Sequence, residues 1–188
     1  MSTVALLAPN VIAHQIILLP EPQWKTNDKD TKYNPLAFLE NQNFPTSADF
    51  GGYLKKNNYN SLRDFLKRAN YTVTEGADRD CGFTDPNGTP QPIPAGNNMR
   101  FTGYTHDGLC EMWLDDTKVL SGSNCHNDFP GKDCPVDYSS CKDNCVMYWY
   151  WLAVRLLKNE YSWQVYKACI PLTRSGKTGT PDKKKLRV

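Results

Sequence analysis

The residues of this 188-residue chain with the clearest capacity for chemistry are its three histidines and a glutamine–tyrosine pair near the C-terminal end. His14 follows a short apolar leader that ends in Val11, Ile12 and Ala13, and a small residue such as Ala13 suits signal cleavage. A cut there makes His14 the first residue of the mature protein, with a free α-amino group beside its imidazole. These groups have ordinary pKa values of about 7.7–8.0 and about 6.5, so both can yield a proton to a metal near neutral pH. Copper(II) prefers nitrogen donors in a tetragonal arrangement, and His14 is expected to be half of a copper site. His106 lies in Tyr-Thr-His-Asp-Gly-Leu-Cys and is the second candidate ligand; its bland reading is a turn residue beside Asp107-Gly108. His126, in Asn-Cys-His-Asn, is the rival ligand or a surface residue. Gln164 and Tyr166 are two residues apart, so on a strand they share a face. An amide and a phenol placed together could flank a metal held by two histidines.

The elements that must carry these residues read as mostly β. Aromatic content is high, and Pro 13 with Gly 12 marks many turns. Residues 25–60 are polar throughout and read as a long surface region with little regular structure. Ser61-Leu-Arg-Asp64 resembles a capping box, and Leu62, Phe65, Leu66 and Ala69 follow at helical spacing, which predicts one short helix over 61–69. Residues 81–98 read as loop, 100–105 as a strand, and Cys110 to Leu120 as a hairpin turning at Asp115-Asp116-Thr117. Residues 121–144 read as a Cys-rich loop. The run 145–155 is the strongest strand, with Val146, Tyr148, Tyr150, Leu152 and Val154 on one face and Trp149 and Trp151 on the other. With no polar face, it is expected at the centre of two packed sheets, as core rather than as a sugar platform. Residues 163–170 form the last strand. Trp24 has two open readings: a ring for stacking on sugar, or a pin for the N-terminal loop.

Composition narrows the setting. Seven cysteines without paired Cys-x-x-Cys sets, and with only three histidines, fit a secreted disulfide framework better than zinc, and the odd count leaves one thiol over or an intermolecular partner. Two sequons, at Asn70 and Asn87, agree with export. The net charge of +2 hides an asymmetry, because residues 173–188 hold six basic residues and one acid. The remainder carries 16 basic and 19 acidic residues, a net −3. The tail reads as a basic, disordered, solvated linker. Nothing demands nucleic acid, and no run is long enough to span a membrane. The expected organisation is a signal peptide over 1–13, a catalytic domain over 14–172 and the tail over 173–188.

Three segments in order carry a family resemblance: His14-Gln with Pro20-Glu-Pro-Gln-Trp24, the Thr-His-x-Gly-x-Cys-Glu-x-Trp-Leu-Asp-Asp segment from Thr105, and Trp163-Gln-Val-Tyr-Lys-x-Cys-x-Pro-Leu172. Over about residues 14–172 the chain resembles a lytic polysaccharide monooxygenase, and more closely the secreted, pectin-active oomycete group known as auxiliary activity family seventeen. The resemblance implies an immunoglobulin-like β-sandwich with long loops, and a single copper held in a histidine brace. His14 would give its amino and one ring nitrogen, and His106 the third nitrogen. Tyr166 would be the axial tyrosine, and Gln164 the residue that hydrogen-bonds the oxygen species. In wider families the second histidine commonly precedes Gly-Pro; here Leu109 takes the place of that proline. The implied activity is oxidative cleavage of pectin, as homogalacturonan, using an external electron donor and oxygen or peroxide. The implied protein is extracellular and monomeric, and contributes to virulence on plants. The resemblance also suggests a Cys81–Cys169 disulfide. A Cys110–Cys125 bond would staple the hairpin, while Cys134, Cys141 and Cys145 stay unassigned. The alternative function is a secreted, disulfide-rich effector that binds glycan or copper without catalysis.

Overall fold

A strand that is apolar on both faces needs cover on both sides, and this decides the architecture. The computed structural model describes residues 15–39, 44–157 and 160–174. In chain order its elements are β1 (Ile17–Leu19), α1 (Lys29–Lys32), β2 (Ala37–Leu39), α2 (Ser47–Lys56), α3 (Leu62–Arg68) and β3 (Gln91–Pro92). A single 3-10 turn (Ala95–Asn97) leads to β4 (Asn98–Phe101), β5 (Gly108–Leu114), β6 (Thr117–Gly122), α4 (Cys125–Asp128), β7 (Asp133–Pro135), β8 (Asn144–Leu157) and β9 (Glu160–Thr173). Most strands pair antiparallel in two sheets. The larger runs β2-β9-β8-β5-β6, with β3 parallel to the end of β9, and the smaller runs β1-β4-β7. The mostly-β expectation holds, and β8 and β9 extend past the predicted 145–155 and 163–170 to 14 residues each.

The two faces of β8 meet different covers. Met147, Trp149, Trp151 and Ala153 pack against Ile17, Met99, Phe101 and Cys134 of the small sheet. Tyr150 and Leu152 on the other face pack instead against Phe50 and Leu54 of α2 and Leu62, Phe65 and Leu66 of α3. Two packed sheets therefore describe only one side of the molecule, and a helical layer closes the other. Each of these large apolar side chains contributes about 1.5–3 kcal/mol by leaving water.

That helical layer corrects the reading of residues 25–60. α2 arises where the sequence is polar overall, because three residues suffice for its inner face: Ser47, Phe50 and Leu54 are buried at helical spacing. Thr46 caps it, accepting from the Asp49 N–H at 3.1 Å. The same region also supplies α1 and the edge strand β2, which pairs with Trp163–Val165 of β9. The predicted helix forms as α3: Ser61 accepts from the Asp64 N–H at 2.9 Å, and Asp64 reaches back to the Asn60 N–H at 3.1 Å.

Three further boundaries differ from expectation. The strand expected over 100–105 stops at Phe101, because Gly103 adopts φ +112°, which side-chain-bearing residues avoid and a strand cannot include. The Cys-rich stretch over 121–144 is not wholly loop: it holds α4, and β7, which pairs with β4. Arg174, counted with the basic tail, is anchored, its guanidinium donating to the carbonyls of Tyr138, Cys141 and Lys142. The leader, His14 and residues 175–188 lie outside the described residues. Among the described residues no helix is long and apolar enough to cross a membrane.

Three disulfides are formed: Cys81–Cys169 and Cys110–Cys125, with Cα separations of 5.0 and 5.9 Å, and Cys141–Cys145. Cys134 is the cysteine left over, buried between the sheets. Asn70 and Asn87 are both exposed, as a glycan would require.

Candidate metal centre and its groove

The early stop of β4 is what places His106. Residues 102–107 leave the small sheet as an irregular loop and rejoin the large one where the Val154 N–H donates to the Asp107 carbonyl at 2.8 Å. Gly108 then begins β5 opposite Ala153. A Cβ on Gly108 would collide with the backbone of Leu152 and Ala153, so the chain can approach β8 this closely only with glycine there. α4 lies alongside, tied to β5 by Cys110–Cys125, and Asn124 accepts from the Gly108 N–H at 3.3 Å.

In this position the His106 ring lies nearly parallel to the fully buried Trp151 ring, with centroids 6.5 Å apart and planes at 15°. Trp151 also stacks on Tyr166, its direct partner across β8 and β9, at 4.9 Å and 25°. Gln164 pairs with Ala153 one step along the same face of β9. The Tyr166 hydroxyl donates to Gln164 Oε1 at 2.9 Å, with both side chains buried. The structure thus gathers three of the four predicted site residues, His106, Gln164 and Tyr166, around one tryptophan. His14 is outside the described residues; its neighbour Gln15 is buried and lines a small cavity with Trp149 and Tyr166.

The chemistry of the set follows from burial. His106 Nε2 is buried and has no hydrogen-bond partner among the described residues, although a buried polar atom left unpaired costs about 1–3 kcal/mol. Burial holds the His106 pKa below the usual histidine value, helped by the positive charge of Arg155 and by His126, and opposed by Asp107. The ring is neutral near pH 7 and offers a lone pair. Burial also pushes the Tyr166 phenol far above its usual range, so it stays protonated and acts as a donor. A neutral imidazole with an unused nitrogen fits a nitrogen-preferring metal, and Trp151 joins it to the protonated phenol. Among the described residues no group of three or more His, Cys, Asp or Glu side chains is arranged to hold a metal ion.

His106 opens onto a groove shared with Thr105, Asp107, His126, Arg155 and Tyr161. His126 stands on the rim, exposed, with Nδ1 3.2 Å from Asp107 Oδ1. Trp24 is half-buried, bridged through its backbone to Thr84 with Lys32 over its ring, which favours the pinning role. Trp149, Tyr150 and Trp151 are core. Two residues went unnoticed in the sequence. Arg155 had a signal, as the single charge in the run 145–157. Glu111 had none beyond being an acid within an alternating strand; it is buried and accepts from the N–H groups of Leu62 and Arg63 at the start of α3, and from Trp113 Nε1. No protein-family model matches this chain, and no curated protein matches it significantly.

Proposed function

We propose that this protein is a secreted, copper-dependent lytic polysaccharide monooxygenase acting on pectin, as homogalacturonan. The observation that carries the reading is the buried Nε2 of His106, unpartnered among the described residues, in a ring that lines an open groove and is joined through Trp151 to the Gln164–Tyr166 pair. In this reading His14, freed at its amino group, would supply two nitrogens, His106 the third, and Tyr166 would complete the set that holds the copper. Copper bound there, with a reductant and oxygen or peroxide, supplies the power to hydroxylate a sugar C–H, after which the glycosidic bond is eliminated.

The chain's own residues do the rest. Stacking on Trp151 fixes the His106 ring, so its nitrogen needs no reorganisation to bind. Tyr166 remains a neutral phenol and would therefore be a weak ligand to the copper. Gln164 orients the phenol by accepting its hydrogen bond at Oε1, which leaves the amide N–H₂ as the side chain's donor group. Three disulfides suit an oxidising, extracellular setting. The test is to incubate protein beginning at His14 with copper, ascorbate and oligogalacturonate, and to examine the products by mass spectrometry. Oxidised fragments that disappear in His106→Ala support the reading. Their absence from wild-type reactions refutes it.

A further inference from the structure

The groove beside His106 holds a cation that the fold does not use. Arg155 is half-buried and pairs with no carboxylate among the described residues, whereas Arg63 and Arg100 are each bound to an aspartate. Arg155 lines the groove together with His106. The nearest acid along the groove, Asp107, is engaged by His126. Leu156, the next residue along β8 after Arg155 and 56% exposed, and its cross-strand partner Tyr161, 40% exposed, line the same groove. An aromatic ring and an aliphatic side chain left in water along the same groove as a guanidinium without a carboxylate partner among the described residues are poorly explained by stability. They match a ligand with an apolar ring face and an anionic substituent.

We propose that this groove binds an acidic polysaccharide, with Arg155 receiving a uronate carboxylate and Tyr161 stacking on the adjoining sugar ring. The inference deepens the reading of the preceding subsection and rests on it for the choice of polymer. A guanidinium is suited to the task because its planar fork matches a carboxylate through two parallel N–H···O bonds. An open groove suits an extended chain better than a small molecule, since among the described residues nothing encloses the ligand from above. Arg155 is then a specificity residue: it selects for charge and sets where the chain lies relative to His106, without itself taking part in oxidation.

The test is calorimetric binding of galacturonic acid oligomers, and of neutral galactose oligomers of equal length, to the wild type, Arg155→Gln, Arg155→Lys and Tyr161→Ala. Binding of the acidic oligomer is expected to weaken roughly ten- to hundred-fold in Arg155→Gln, the range of a charge-assisted contact. Arg155→Lys should recover part of the loss, because it keeps the charge without the fork. Tyr161→Ala should weaken both ligands. Equal affinity of the wild type for acidic and neutral oligomers, or an unchanged Arg155→Gln, overturns the inference. Copper titration of the same proteins separates the two readings: one copper per chain with oligomer binding indifferent to Arg155 ends this inference alone, whereas a wild type that binds no copper ends the monooxygenase reading.

Discussion

Glu111 gives the sharpest test of how the helical layer is attached to the sheet. It sits on β5 with 6% exposure, and its carboxylate accepts from the first two N–H groups of α3 and from Trp113 Nε1, at 3.0–3.1 Å. Lys118 approaches it at 3.4 Å from a side chain 38% exposed. A hydrogen bond to a charged group is worth about 1.5–3 kcal/mol, but three sharing one acceptor do not add. The two backbone N–H groups also regain some water once the side chain is gone. Glu111→Ala is therefore expected to cost about 3 kcal/mol, at the low end for breaking a buried charged network. For a chain of this size that is a fall of roughly 6–12 °C in melting temperature. Lys118→Met, which removes only the partly exposed ion pair, should cost less than about 1 kcal/mol. Thermal melting followed by circular dichroism, with the disulfides intact, reads both. A Glu111→Ala protein that melts with the wild type would refute the claim that this carboxylate anchors α3.

Other expectations follow from single side chains. Burial raises the Cys134 thiol to about 11 and hides it between the sheets, so a thiol reagent should label no cysteine in the native protein and one after unfolding without reductant; rapid native labelling would contradict the assignment. Non-reducing peptide maps of the same sample should return the 141–145 pair. Burial lowers Lys167 from 10.5 to about 8 despite its contact with the Arg79 carbonyl. Between these values the unfolded chain holds a proton that the folded chain has lost, so stability should rise with pH across the window relative to Lys167→Met, as urea midpoints would show. Tyr166→Phe removes the donor to buried Gln164 Oε1 and should cost about 1–2 kcal/mol, read by denaturant unfolding; an unchanged midpoint would mean that the hydroxyl is not held there.

Much of the β framework was legible because local pattern and tertiary demand agree. The run around Trp149 and Trp151 has no polar face and becomes the central strand, and the Asp115 turn closes the hairpin as expected. Ser61 announced α3 through its cap. What stayed hidden depends on distant partners. α2 has only three buried residues in a polar stretch, and its burial is decided by Trp163 and Phe65, which the sequence places far away. The end of β4 at Gly103 turns on one backbone angle. At the site, Gln164 and Tyr166 were found through strand alternation, yet their link to His106 runs through Trp151, and no spacing rule joins residues 106, 151 and 166. Arg155 was overlooked because a charge near a strand end is ordinarily a solvated one.

The central claim is a copper site built on His106 and a free N-terminal His14. The most direct measurement is a copper titration of protein whose chain begins at His14, followed by electron paramagnetic resonance, with His106→Ala and His126→Ala in parallel. The account predicts one tightly bound copper with a three-nitrogen tetragonal spectrum, lost in His106→Ala and retained in His126→Ala. Weak binding, or a spectrum that follows His126 and ignores His106, would contradict it.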